Sequence, residues 1–305
     1  MKGLELNRAF FEEIRPALQR DFPELYAKLA AGLVGNGSEC SGYDDEISRD
    51  HDWGVALQLW LPEEERGSIP ALQAWLCEAM ERRPGYPYPQ ATRYCAQRGV
   101  STVGDFYRSL TGCAEGPHTI PEWDRAPQEN LALAVNGEVF YDGDGSFTRI
   151  REHILAFYPE DYRLKKLAAR CAAVAQTGQY NYSRCLKRGD AVTAQITESR
   201  FLTEVSGLVF LLNRCFMPYY KWQHRRLGEL PILGARIAAE QEALVRLSDP
   251  AEKAEKMEAI CRLLTQELRR EGLTESEDDF LLIHAEQIQG RIRDEQLRAL
   301  PVTYG

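Results

Sequence analysis

No run of apolar residues in this 305-residue chain approaches the roughly 20 that a membrane-spanning helix requires. The opening MKGLELNRAFFEE meets acidic side chains before a signal-peptide core could form, so a cytoplasmic protein with no membrane partner is expected. The eight cysteines include no C-x-x-C pair, which excludes a zinc knuckle and leaves mostly buried, reduced thiols as the expectation. The five histidines show no H-E-x-x-H or other paired metal spacing. A G-x-S-x-G nucleophile elbow and a G-x-x-x-x-G-K-S/T phosphate loop are both missing. An excess of basic residues is missing too. With 37 Lys and Arg against 46 Asp and Glu, the net charge is -9, whereas duplex-binding proteins carry a basic stripe and a high pI. Nucleic acid is therefore not expected as the main partner. A small nucleotide remains open, because metal and a few local cations can handle its phosphates.

What is present fits a globular protein with room for two cores: 44% hydrophobic residues and a mean hydropathy of -0.42. Residues 4–31 read as helical, with Phe10, Phe11, Ile14 and Leu18 on one stripe, Asn7 as N-cap and Pro23 opening a second short helix. A short apolar piece, Ala31 to Val34, runs into the turn Gly35-Asn36-Gly37-Ser38. After an acidic loop containing Asp44, Asp45 and Glu46, a strand is expected from Asp52, with Val55, Leu57, Leu59 and Leu61 on one face. Asp50 and Asp52, at i and i+2, share a strand face. Two carboxylates leaving one face are what a hard divalent cation such as Mg²⁺ needs, together with a substrate's phosphates. Asp44 and Asp45 stay open between a solvated loop and support for that metal.

This stretch resembles the nucleotidyltransferase superfamily, with its DNA-polymerase-beta-like fold. The matching residues are Gly37-Ser38, an eleven-residue gap, and Asp50-His51-Asp52-Trp53. Asn36 departs from the pattern, standing where the family has an apolar residue. The full run GYDDEISRDHDWG looks like a bacterial branch of uncharacterised function with a helical second half. The resemblance implies that Asp50 and Asp52 are the catalytic metal ligands, that Mg²⁺ is the cofactor, and that Gly37 and Ser38 contact the phosphates of a nucleoside triphosphate. It also implies a third carboxylate on a later strand, for which Asp105, Asp124 and Asp142 are the candidates.

Helices are expected over 69–82 and around Asp105 to Leu110, with a strand within 94–104. Asp142-Gly143-Asp144-Gly145 reads as a turn rather than a calcium loop, because the closing glutamate is missing. From Ser146, the expected cap of a helix over 147–157, the pattern is helical. One long helix carries Leu164, Leu167, Cys171, Val174 and Ala175 as its core stripe. A second stripe, Gln176, Tyr180, Ser183, Arg184 and Lys187, is either a solvated face or a cleft wall. Lys221 and Arg225 lie at i and i+4 on a further helix, free to meet phosphates or to pair with acids. Asp249-Pro250 and Thr274–Glu277 read as starts of helices near 250–271 and 275–298.

The fold expected is α+β: a small mixed-sheet nucleotidyltransferase domain over 1–145, then an all-α helical bundle over 146–305. The expected function is metal-dependent transfer of a nucleoside monophosphate from an NTP to a small-molecule or protein acceptor between the two domains, with Tyr180, Arg184 and Lys221 as binding residues. The alternative is a non-catalytic nucleotide-binding regulatory or protein-interaction module.

Overall fold

The computed structural model describes residues 1–49, 53–88 and 99–305. It is an α+β protein that divides into two compact units, Met1–Phe157 and Tyr158–Gly305. Among the described residues no helix is long and apolar enough to cross a membrane.

The first unit runs α1 (Gly3–Asp21), α2 (Pro23–Tyr26), β1 (Ala30–Leu33), β2 (Gln58–Leu61), α3 (Ile69–Glu81), β3 (Gly99–Thr102), α4 (Val103–Thr111), α5 (Ile120–Arg125), α6 (Gln128–Val135), β4 (Glu138–Asp142) and α7 (Ser146–Leu155). The strands form one mixed sheet in the order β3-β2-β1-β4. β1 is antiparallel to both neighbours, while β2 and β3 are parallel. Alternation along β2 sends its side chains to opposite faces. Leu59 and Leu61 join Phe10, Phe11, Ile14 and Leu18 of α1 and Leu72 and Leu76 of α3 in one buried cluster. Trp60 faces the other way, its ring 4.1 Å from that of Phe147 on α7 and 5.3 Å from that of Phe106 on α4. Helices thus cover both faces.

Two expectations about this unit need correction. Asn7 does not cap α1; it lies inside the helix and is fully buried. Its amide donates to Gly3 O at 2.9 Å and Gly54 O at 3.1 Å, and accepts from Ala56 N at 2.8 Å. The strand expected from Asp52 starts only at Gln58. Val55 N donates to Pro87 O at 2.8 Å, and Ala56 N is taken by Asn7. Those N–H groups are satisfied away from a ladder, so the apolar residues Val55 and Leu57 are buried without being strand.

The second unit is helical: α8 (Glu160–Val174), a π-helical turn (Ala175–Asn181), α9 (Tyr182–Lys187), α10 (Ala191–Leu212), α11 (Tyr220–Gly228), α12 (Gly234–Arg246), α13 (Pro250–Arg270), α14 (Leu281–Gly290) and α15 (Glu295–Ala299). The expected stripe of α8 is buried in full, and both α10 and α14 pack along that helix. Asp190 caps α10 by accepting from Thr193 N at 3.0 Å, and Asp249 caps α13 by accepting from Ala251 N at 2.8 Å. The helix expected over 275–298 is instead α14 and α15. Gln287 Oε1 accepts from Glu275 N at 2.9 Å and Ser276 N at 3.3 Å, and Asp278 accepts from Phe280 N at 2.8 Å. Side chains that bond the backbone locally hold 274–280 as a loop.

Four of the seven described cysteines, Cys40, Cys171, Cys185 and Cys261, are buried, and all seven are free thiols. Cys95 lies outside the described residues.

Candidate functional site

The register of the sheet collects the first residues of three strands at one edge. Leu33, the last residue of β1, pairs with Glu138, the first of β4. Gln58 opens β2 opposite Gly32 and beside Gly99 of β3. The chain leaves β1 at this edge and continues into Gly35-Asn36-Gly37-Ser38.

Side chains from the flanking strands continue the hydrogen bonding where the ladder ends. Gln58 Oε1 accepts from Val34 N at 2.7 Å. Asn136 Oδ1 accepts from Gly35 N at 2.8 Å, and its Nδ2 donates to Gly35 O at 2.8 Å. Gly37 then turns with φ +121°, and a Cβ there would lie 2.6 Å from the Glu39 carboxylate, so the position is closed to other residues. Glu39 itself is buried, whereas Asn36 and Gly37 are exposed and Ser38 is half-buried. Ser38 opens a 3-10 turn over Glu39–Ser41, and its carbonyl accepts from Ser41 N at 3.2 Å and Tyr43 N at 2.9 Å. The result is a turn held at its flanks by side chains, with Asn36 and Gly37 exposed at the sheet edge.

The acidic loop is tied into the chain. Asp44 is fully buried and accepts from Gly3 N, in the first turn of α1, at 2.8 Å and from Trp53 Nε1 at 3.3 Å. The Lys2 ammonium stands 3.4 Å from its other oxygen. A carboxylate at a helix N-terminus is favoured by the axial dipole, so Asp44 pins α1 to this loop. Asp45 accepts from Ser48 N at 2.9 Å at the 3-10 turn Ile47–Arg49. Asp50, His51 and Asp52, the expected ligand pair and the residue between them, lie outside the described residues.

The candidates for a third acid sit elsewhere. Asp105 is held by Arg66 at 2.6 Å and Arg108 at 2.9 Å, and the Arg66 contact keeps its carboxyl below the usual carboxylate range. Asp142 pairs with Ala30, at the opposite end of β1 from the turn, and accepts from Thr148 N at 2.7 Å. That bond, with Asp144 accepting from Ser146 N at 2.9 Å, caps α7 in place of the Ser146 hydroxyl expected to do so. Asp124 is exposed on α5. The sequence reading passed over Glu138. It opens β4 at the same edge as the turn, and it pairs with Arg8 of α1. The signal was available: an acid directly after Asn136-Gly137 at the head of an apolar strand. Among the described residues no group of three or more His, Cys, Asp or Glu is arranged to hold a metal ion.

In the second unit the structure brings Tyr180 and Arg184 together, with the guanidinium carbon 4.4 Å from the ring centroid. Tyr180 lies in the π-helical turn and is 50% exposed. Lys221 pairs with a different ring, its ammonium 5.0 Å from the centroid of Trp222. The π-helical turn packs on α10 from the side of α8 and α9, whereas Lys221 lies on α11, after the C-terminal end of α10. These are two separate cation–π contacts.

A sequence-family profile described as Domain of unknown function (DUF4037) matches residues 123–223, from α5 into α11. No curated protein matches the chain. Among solved structures it has a distant likeness to a nucleotidyltransferase-like protein from Exiguobacterium sibiricum 255-15, at 12% identity and a TM-score of 0.37, covering 89% of this chain and 81% of that one.

Proposed function

We propose that the edge formed by Gly35–Ser38 and the start of β2 is the nucleotide site of a metal-dependent nucleotidyltransferase. The observation that carries this reading is the turn itself. Val34 and Gly35, which lead from β1 into Gly37 and Ser38, are held by Gln58 and Asn136, and Asp50-x-Asp52 precedes β2 in sequence, the strand that begins at that edge. An exposed turn rich in glycine lets phosphate oxygens approach backbone N–H groups. The donor set fits Mg²⁺, because Asp50 and Asp52 offer oxygen ligands only.

In this reading Asp50 and Asp52 hold Mg²⁺, and Gly37 and Ser38 fix the triphosphate. The bound ion would neutralise charge that develops as pyrophosphate leaves. Catalysis of this kind consists mostly of positioning and electrostatics, so few dedicated side chains are needed. Glu138 becomes a candidate for the third carboxylate, with Arg8 orienting it. Tyr180, Arg184 and Lys221 are retained as candidate acceptor contacts, in two groups rather than one.

One observation favours a second reading, a nucleotide-binding regulator without turnover. Asp105 and Asp142 are both engaged by other groups, and Glu138 is paired with Arg8. Pyrophosphate release from NTPs in the presence of Mg²⁺ separates the two. Release that D50N and D52N each abolish supports the transferase. Mg²⁺-dependent NTP binding without release supports the regulator, and absence of binding sinks both.

A further inference from the structure

Behind the turn lies a cation held by neutral groups. Arg151 projects from α7 and donates to Asn136 O at 2.8 Å and Gly137 O at 3.4 Å. Both acceptors are neutral carbonyls, and among the described residues no carboxylate pairs with this guanidinium. Burial alone draws its pKa below the ordinary arginine value, opposed only by the nearby Tyr107 hydroxyl. Leaving a partly buried charge unpaired is costly, and a neutral side chain of similar size would avoid that cost.

The two carbonyls belong to the residues that hold the turn. The Asn136 amide grips both backbone groups of Gly35, and Gly137 N donates to Cys40 O at 2.7 Å on the far side of the turn. Gly137 has φ +62°, and a Cβ there would stand 2.0 Å from Leu33 O, so this junction lies directly against the end of β1. Arg151, Asn136-Gly137 and Gly35 therefore form a continuous strut, with a positive charge at one end and the exposed Asn36 and Gly37 at the other.

We infer that Arg151 is a positioning residue for a polyphosphate: through Asn136 and Gly137 it fixes the Gly35–Ser38 turn and biases that turn electrostatically toward ligands of high negative charge. This inference rests on the nucleotide site proposed above and adds a specificity, for triphosphate over less charged ligands. A charge held in low-dielectric surroundings acts on each ligand charge in proportion, so its signature is a graded dependence on phosphate number. A purely structural arginine would weaken all ligands alike.

The test uses the full chain with Mg²⁺ and measures affinity for inorganic tripolyphosphate, pyrophosphate and phosphate by calorimetry. For R151Q the account expects a loss of about tenfold for tripolyphosphate, about fivefold for pyrophosphate and about twofold for phosphate. R151K, which keeps the charge, should restore the wild-type ratio between the three. N136D, which places a negative charge at the turn end of the same strut, should lower the ratio as R151Q does and serves where R151Q fails to fold. An unchanged ratio in both R151Q and N136D, or an equal loss for all three ligands, overturns the inference while leaving the nucleotide site standing. If the wild-type chain binds neither tripolyphosphate nor NTP, the site and the inference fall together.

Discussion

The two units use their buried and half-buried polar side chains differently. In the first, Asn7, Asp44, Gln58 and Asn136 bond mainly to backbone N–H and C=O groups of loops. They fix irregular chain where regular structure stops. In the second, Lys253 meets Glu198 at 2.8 Å, and Gln241 bonds Ser206 at 3.1 Å; these contacts join helix to helix. Lys165, fully buried on α8, donates to Gln289 Oε1 at 2.7 Å and to the carbonyls of Leu300 and Pro301 at 3.1 and 2.7 Å, holding the segment after α15 on the bundle. A polar core spent on shaping loops is what a binding edge requires, whereas one spent on helix pairs builds a scaffold. The contrast agrees with the site proposed above in the first unit.

The comparison can be broken most easily at the acids. D50N or D52N should lower the rate of pyrophosphate release on the order of a thousandfold, the worth of several kcal/mol of transition-state charge stabilisation, with an unchanged unfolding curve. A large loss of stability instead would make these residues structural. Next come the loop-holding groups. Asn7→Leu takes the side-chain partner from Gly54 O and Ala56 N and should cost about 2 kcal/mol in denaturant unfolding. Gly137→Ala forces a Cβ onto Leu33 O at a positive φ and should cost about 2 kcal/mol or more. Both should also weaken NTP binding, because they act on the chain around the turn.

Away from the candidate acceptor contacts, the second unit should respond in stability alone. Lys165→Met should cost about 2 kcal/mol through the loss of its bonds to Gln289 Oε1, Leu300 O and Pro301 O. Its pKa is depressed by burial, so the unfolded chain holds the proton to higher pH than the folded one. Wild-type stability therefore gains from this group as pH rises from the depressed folded value toward the ordinary lysine value of about 10.4. Lys165→Met should remove that alkaline gain, as read by unfolding at a series of pH values. The smallest effect is expected at the surface, where Arg184→Ala removes an exposed cation–π contact and should cost no more than about 1 kcal/mol.

Much of this organisation was legible in the sequence because it follows periodicity. The stripe on α1, the stripe on α8, the helix α3 and the helix start at Asp249-Pro250 are local patterns with local causes. What escaped notice depends on pairing between distant segments. Asn7 looked like a cap because asparagine favours that position, yet its partners at Gly54 and Ala56 lie 47 and 49 residues away. Glu138 is readable as an acid heading an apolar strand, but only the β1–β4 register puts it at the end of the sheet that carries the turn and Asp142 at the other. The turn at Gly37-Ser38 was readable as a turn. Its support by Gln58, Asn136 and Arg151 was not, because a side chain that bonds backbone leaves no spacing rule.

The central claim, that nucleotide and Mg²⁺ meet at the Gly35–Ser38 edge, is tested most directly by titrating the full chain with NTP by calorimetry, with Mg²⁺ and then with a chelator. The account predicts saturable binding that requires Mg²⁺ and is lost in the D50N/D52N double variant while the fold persists. Binding that survives both the chelator and the double variant would contradict it.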